Sequence, residues 1–151
     1  AVIQVHGRVF FPFHVDCPFR TLDLVLAEVH KRTNLIVVDC HAEATSEKQA
    51  LAWYFDGRVS ALVGTHTHVQ TADAAILPGG TAYITDVGMT GPTGGVLGVK
   101  KELVIEKFLT QMPVRFSLAN GQPVLSAVII ELDTATGKAI AIERLSCQDD
   151  H

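Results

Sequence analysis

The sequence lacks the features that mark membrane, zinc-knuckle and repeat proteins. No apolar run approaches the roughly 20 residues that a helix needs to cross a bilayer, and no signal peptide is visible. The three cysteines, Cys17, Cys40 and Cys147, lie far apart and form no C-x-x-C pair, which excludes zinc-knuckle and thioredoxin-type sites. Low-complexity segments and internal repeats are absent as well.

An excess of positive charge is also missing, because the net charge is -4 at pH 7. We therefore expect no general attraction to nucleic acid or anionic lipid, although a local positive site is compatible with this charge. An acidic chain with unpaired cysteines and no visible signal peptide fits the reducing cytoplasm. The expected location is therefore cytoplasmic, without membrane association, and the three cysteines are expected to be free, buried thiols.

What the sequence does contain is the composition of a folded domain. Of its 151 residues, 48% are hydrophobic and 19% are charged, which excludes a disordered chain. A chain of this length buries roughly 68–70% of its unfolded surface, which suits a single domain over residues 1–151. The chain begins inside a predicted strand and has no initiator Met, which suggests a fragment of a longer protein.

The hydrophobic pattern predicts an α/β fold with a mixed sheet. Helices are expected at 16–34, 45–57 and 100–110, and strands at 1–11, 35–39, 59–64, 81–88, 113–119, 123–132 and 138–146. Asp16 is the expected N-cap of the first helix, and Ser46 with Gln49 matches a capping box for the second. The last three strands resemble a meander with turns at 120–121 and 134–137. The buried side of the second helix is expected to contain Ala50, Leu51, Trp53, Tyr54 and Phe55.

Polar loops follow three of the predicted buried strands, and histidines cluster in two of these loops. His41 follows the strand at 35–39, while His66 and His68 follow the strand at 59–64. Since open α/β sheets bind ligands at the carboxyl ends of their strands, these imidazoles could converge on a metal ion. His66 and His68 point to the same side if the T-H-T-H segment stays extended. The alternative is an ordinary polar turn, because an isolated H-x-H pair is a weak signal.

Other polar residues near these loops have weaker assignments. Asp39 and Glu43 could orient the ring of His41 as hydrogen-bond acceptors; alternatively they face solvent, or Glu43 supplies charge at a helix N-terminus. A glycine-rich loop could cradle a phosphate with backbone N–H groups. It matches no P-loop or G-x-G-x-x-G pattern, so a plain connection is the alternative. The candidate positions in this loop are Gly88, Thr90 and Gly91. The histidines expected to be ordinary surface or hydrogen-bonded residues are His6, His14, His30 and His151.

Longer motifs make the interpretation more specific. The segments "HAEATSEKQA" and "VGTHTHVQTAD" lie within residues 38–92, and this stretch closely resembles the YmdB-like branch of the calcineurin-type metallophosphoesterases. The flanking segments are similar too, so the resemblance covers nearly the whole chain. It implies part of a four-layer α-β-β-α metallophosphoesterase sandwich with mixed sheets. It also implies two divalent transition-metal ions, Fe, Mn or Zn, at the strand ends.

The resemblance further implies a role for each of the three histidines. His68 would bind the first metal ion, while His66 and His41 would bind the second. Members of the family are phosphodiesterases of cyclic nucleotides, including 2′,3′-cyclic ones, so the substrate would be a nucleotide or another phosphodiester. Two such ions activate a water molecule for in-line attack at phosphorus.

Motifs of the family's N-terminal half are not found in this sequence. These motifs are an early Asp, a Glu-Asn pair and an Asn-His pair, whose His is the acid or phosphate-binding residue. The chain therefore resembles the C-terminal portion of a metallophosphoesterase domain, and its catalytic residue is unknown. Because unpaired strands and uncovered apolar faces favour association, we expect a homo-oligomer or association with the missing half. The alternative function is a non-catalytic regulatory or scaffold module that retains part of the fold.

Overall fold

The computed structural model describes residues 1–12 and 14–148, and His151 lies outside them. Over these residues the chain forms three helices and eight strands. The chain divides into two compact units, one of Ala1–Gly88 with Val128–Arg144 and one of Met89–Ala127 with Leu145–His151. Whether the chain forms a single domain, as expected, stays a prediction. In the part of the chain that the structure describes, no helix is long and apolar enough to cross a membrane.

The first unit contains a mixed sheet with mostly parallel strands. Its described strands, in order across the sheet, are β1 (Val2–His6), β2 (Val37–His41), β3 (Ala61–Thr65), β5 (Ala82–Ile84) and β4 (Ala75–Ile76). The first four run parallel, and β4 is antiparallel to β5. Apolar runs such as Ala61–Val63 form strands buried on both faces, as parallel sheets require. The α/β prediction with a mixed sheet is therefore confirmed.

Two helices, α1 (Pro18–Val29) and α2 (Thr45–Phe55), contribute apolar side chains to the core of this unit. Both begin elsewhere than the predicted caps. Cys17, not Asp16, is the N-cap of α1, because its carbonyl already accepts the N–H of Thr21. Ala44 is the N-cap of α2, because its carbonyl accepts the N–H groups of residues 47 and 48. Ser46 consequently lies inside the helix, and the predicted capping box is wrong.

The buried face of α2 also differs from the prediction. Trp53 and Tyr54 are 61% and 52% exposed, and Ala50 is exposed as well. The buried positions are 48, 51, 52 and 55, which follow the i, i+3, i+4, i+7 spacing of one helix face. The first of these positions is Lys48. Because lysine is charged, the sequence alone does not show that this position belongs to the buried face of the helix.

The second unit contains shorter elements. They are β6 (Thr90–Pro92), α3 (Lys101–Thr110) and parts of two long strands, β7 (Pro123–Leu132) and β8 (Ala139–Gln148). The three strands lie in the order β6-β7-β8, which confirms the last two predicted strands. The strand predicted at 113–119 is wrong, because its backbone bonds join single residues such as Ser117 and Ala119 to residues 98–100. Without that strand, Asn120–Gly121 is not a hairpin turn, and β7 pairs with β6 instead.

The cysteines confirm one part of their prediction and correct another. All three, which lie within the described residues, are free thiols. Cys40 is buried, and its burial raises the pKa of its thiol to about 12. Cys17 is only partly buried and Cys147 is exposed, so the expectation that all three are buried is wrong.

Candidate metal site at the carboxyl ends of the parallel strands

The register of the parallel sheet places three polar residues in a row at its carboxyl edge. His6 at the end of β1 lies beside His41 at the end of β2, and His41 lies beside Thr65 at the end of β3. The ring centroids of His6 and His41 are 5.2 Å apart. The sequence predicts an ordinary role for His6, and only the register of the edge strand β1, which sets His6 beside His41, brings it near the site.

His41 and His66 form the centre of the site. The Nε2 atom of His41 lies 3.1 Å from the Nδ1 atom of His66, and the two rings are perpendicular with centroids 4.9 Å apart. The ring of Phe11 packs 5.1 Å from that of His66 and shields one side of the pair. The structure therefore brings together two of the three histidines that were expected to bind metal.

A short hydrogen-bond chain sets the orientation of His41. The hydroxyl of Thr65 donates to Oδ1 of Asp39 at 2.8 Å, so its oxygen is left to accept from Nδ1 of His41 at 3.0 Å. The other carboxylate oxygen of Asp39 accepts from Gln4 at 3.0 Å. With its proton on Nδ1, His41 keeps a lone pair on Nε2, the form that ligates a metal. Asp39 thus acts on His41 through Thr65.

Glu43 contacts His66 and not His41. Its Oε2 atom lies 2.8 Å from Nε2 of His66. A proton shared at that contact leaves the Nδ1 lone pair of His66 facing the Nε2 lone pair of His41. A proton must therefore lie between the two nitrogens for the contact to be a hydrogen bond, and a metal ion in its place would find two imidazole donors, which suit transition metals.

Electrostatics favour the neutral form of His41. Burial lowers the pKa of His41, and the neighbouring His66 and His6 lower it further. A metal ligand must be deprotonated, so this shift favours the binding-competent form of the imidazole.

His68 is placed differently from the other two. Its side chain is exposed, and the backbone has φ values of 113° at His66 and 66° at His68. The chain therefore turns through this segment, so the condition for the two histidines to share a side, an extended T-H-T-H segment, is not met. Within the described residues, no group of three or more His, Cys, Asp or Glu side chains is placed to hold a metal ion. The three-histidine convergence is thus not met, and the metal role of each histidine stays a prediction.

A buried ion pair lies next to the histidine loop, the segment of residues 66–71 that follows β3 and contains His66 and His68. The sequence alone did not predict this ion pair. Lys48 and Asp86 are both fully buried, with Nζ 3.1 Å from Oδ2. Asp86 also accepts the backbone N–H groups of Thr67 and Gly88, each at 2.9 Å. Burial opposes ionisation of Asp86, but these hydrogen bonds outweigh it and hold the pKa of the carboxyl below its usual value. The periodic position of Lys48 on α2 was the available signal.

The glycine-rich segment has the following positions in the structure. Gly88 donates its N–H to Asp86, as described above. Thr90 and Gly91 belong to β6, where they pair with Leu125 and Val124. Their proposed contact with phosphate stays a prediction.

Comparisons with known proteins identify the family of the chain. The family described as YmdB-like protein matches residues 1–145 of the chain. A 2′,3′-cyclic-nucleotide 2′-phosphodiesterase of Bacillus subtilis is 59% identical over 151 residues, which cover 100% of this chain and 57% of that protein.

Two solved structures are also similar. One is a hypothetical protein from Thermus thermophilus with 44% identity and a TM-score of 0.91, covering 98% of this chain and 57% of that one. The other, a novel phosphatase from Mycoplasma pneumoniae, has 40% identity and a TM-score of 0.88, covering 97% and 53%. The chain spans little more than half the length of each of these proteins. It belongs to the family of YmdB-like proteins.

Proposed function

We propose that the protein containing this chain is a metal-dependent phosphodiesterase that hydrolyses 2′,3′-cyclic nucleotides. The observation that carries the proposal is the contact between His41 and His66 at the carboxyl edge of the sheet, in a chain 59% identical to an enzyme of that name. Two imidazole nitrogens face each other there, with carboxylates behind them. Such donor sets are typical of transition-metal sites in hydrolases.

The residues of this chain would divide the work as follows. His41 and His66 would hold one ion, and His68 would ligate a second. Asp39, through Thr65, would keep the Nε2 lone pair of His41 available. The ions would supply an activated water and stabilise charge on the phosphoryl group. Because the chain spans little more than half of its relatives, the remaining ligands and the catalytic acid would come from residues outside it.

The wider expectations belong to the same proposal. A four-layer α-β-β-α sandwich would be completed by the rest of the protein or by another copy, which would also cover exposed apolar side chains such as Phe108 and Leu109 on α3. The cytoplasmic location stays part of this proposal. Gly88, Thr90 and Gly91 would lie near the phosphate.

The test replaces His68 in the full-length protein. His68→Ala should lower kcat for a 2′,3′-cyclic nucleotide and for a bis-aryl phosphate by at least about 100-fold, because a metal ligand is lost. The circular dichroism spectrum and Tm should change little, since exposed loop ligands rarely hold a core together. His30→Ala, an exposed histidine directly after α1, is the matched control and should keep the wild-type rate.

Elemental analysis of the purified protein separates the two candidate functions. Two transition-metal ions per chain, together with the rate loss in His68→Ala, would support the phosphodiesterase. Unchanged rates in His68→Ala would count against the assigned site. A protein that binds no metal and hydrolyses neither substrate would instead be the non-catalytic regulatory or scaffold module.

A further inference from the structure

We propose that Lys48 and Asp86 are positioning residues that fix the backbone between His66 and His68. Neither side chain is proposed to touch substrate or metal. The inference rests on the proposed function only in that the loop carries two proposed metal ligands.

Asp86 forms hydrogen bonds with two residues of the histidine loop. Its side-chain Oδ2 accepts the N–H of Thr67, the residue between the two histidines, at 2.9 Å. Its backbone N–H donates to the hydroxyl of Thr71 at 2.9 Å, and its carbonyl accepts the N–H of Thr71 at 3.0 Å. Residues 67 and 71 are therefore both attached to one residue of the loop that follows β5.

The conformation of the loop explains why such attachment is needed. His66 and His68 both have φ values in the left-handed region, which residues other than glycine rarely adopt. Such backbone is strained and persists only where the surroundings over-determine it. The hydrogen bond from Thr67 to Asp86 acts on the residue between the two strained positions, so it supports both.

Lys48 makes this use of Asp86 feasible. A fully buried carboxylate is costly unless it is paired and hydrogen-bonded, and Nζ of Lys48 supplies the pairing at 3.1 Å. The stem of Lys48 passes beside Gly64 on β3, where a Cβ atom would lie 2.8 Å from its Cδ. Lys48 also belongs to α2, which starts four residues after His41. One ion pair thus links the segment that carries His41 to the loop that carries His66 and His68.

A purely structural carboxylate would also stabilise the fold, so the test needs a control carboxylate that accepts backbone N–H groups away from the histidines. Asp56 provides it, because its carboxylate accepts the backbone N–H groups of Gly79 at 2.7 Å and Thr81 at 3.3 Å. These residues precede β5 and lie at the opposite edge of the sheet from the histidines. In both Asp86→Asn and Asp56→Asn, the amide keeps one acceptor oxygen and loses the second.

The experiment compares these two variants in the full-length, metal-free protein, titrated with Co²⁺ alone. Asp86→Asn should weaken Co²⁺ binding by about 10–100-fold, change the visible Co²⁺ spectrum and lower kcat. Asp56→Asn should lower Tm while its Co²⁺ affinity and spectrum stay within about twofold of wild type. Equal Co²⁺ affinity and spectra in wild type and Asp86→Asn would overturn the proposal.

Two further measurements keep the test decisive. If Asp86→Asn does not fold, the double variant Lys48→Met with Asp86→Asn removes both charges together and should show the same weakened Co²⁺ binding. Histidine ring signals in the NMR spectrum of the metal-free protein should shift for His66 and His68 in the Asp86 variants and not in Asp56→Asn. If wild type binds no Co²⁺, the proposed function fails. The NMR comparison then decides the positioning role by itself, because unchanged His66 and His68 signals would overturn it.

Discussion

The two edges of the parallel sheet use polar side chains in different ways. At the carboxyl edge, ionisable side chains contact one another: His41 faces His66, and His66 faces Glu43. Thr65 joins His41 to Asp39 in the same manner. These contacts join two histidines and two carboxylates in one network at a single edge of the sheet, which is where the candidate site lies.

At the amino edge, comparable side chains bond to the backbone. The hydroxyl of Thr81 donates to the carbonyl of Val59 at 2.7 Å and accepts the N–H of Gly57 at 2.9 Å. The hydroxyl of Ser60 accepts the N–H of Ile36 at 3.0 Å. Such bonds satisfy turns that would otherwise leave backbone groups unpaired, so they stabilise the fold. In this sheet, the edge where histidine and carboxylate side chains contact one another is the edge that carries the candidate site.

The strongest test of this comparison concerns packing beneath the carboxyl edge. At Gly64, an added Cβ would collide with the carbonyl of Thr85 and lie 2.8 Å from Cδ of Lys48. We expect Gly64→Ala to lower the free energy of unfolding by about 3 kcal/mol or more, because backbone and a buried ion pair must both move. Denaturant unfolding measures this change.

The matched control is Gly91→Ala. The nearest atom to its added Cβ is Cε of Met89, 3.6 Å away, so we expect a change within about 0.5 kcal/mol. If Gly64→Ala were as stable as Gly91→Ala, the carboxyl edge would be loosely packed and unsuited to hold a site rigidly.

Much of the first unit could be predicted from sequence because its signals are local. The apolar runs at 35–39 and 59–64 predict buried parallel strands, and their polar continuations place His41 and His66 at one edge. The buried face of α2 could not be assigned in the same way. Lys48 is charged, and its tertiary pairing with Asp86 offsets the cost of burying it.

The second unit and the histidine loop depart from a regular strand pattern for the same physical reason. Residues 113–119 have the composition of a strand, but residues 98–100, which lie before α3, provide their backbone partners. His68 similarly leaves the extended pattern because the positive φ at His66 turns the chain. Both outcomes depend on contacts distant in sequence, which propensity and periodicity do not contain.

A second test uses the pH dependence of stability. The folded-state pKa of His41 is lowered by burial and by its histidine neighbours. The unfolded chain therefore binds more protons below about pH 6.5, and stability from this residue is lost as the pH falls. In the metal-free protein, the free energy of unfolding should fall more steeply for wild type than for His41→Asn as the pH is lowered from about 7 to about 5.

Chemical unfolding at several pH values measures this difference. Gln49→Ala, an exposed and uncharged position on α2, is the control and should follow wild type. If the pH dependences of wild type and His41→Asn were parallel, the ring of His41 would lie in a more open environment than the site requires.

The smallest expected effect concerns a surface ion pair between α1 and the turn that follows α2. The Nη2 atom of Arg58, which precedes β3, lies 2.6 Å from the Oδ1 atom of Asp23 on α1. Its hydrogen bond to Asp23 lowers the pKa of that carboxyl. The guanidinium also packs 4.7 Å from the ring centroid of Phe55. Because both charged groups are solvent-accessible, we expect Asp23→Ala and Arg58→Ala to couple weakly, with Tm changes of a few degrees at most. A double-mutant cycle at low and high NaCl measures the coupling, which should shrink as salt screens the charges. A strong coupling that salt does not weaken would contradict the comparison, because a side-chain ion pair outside the carboxyl edge would then rival the buried Lys48–Asp86 pair.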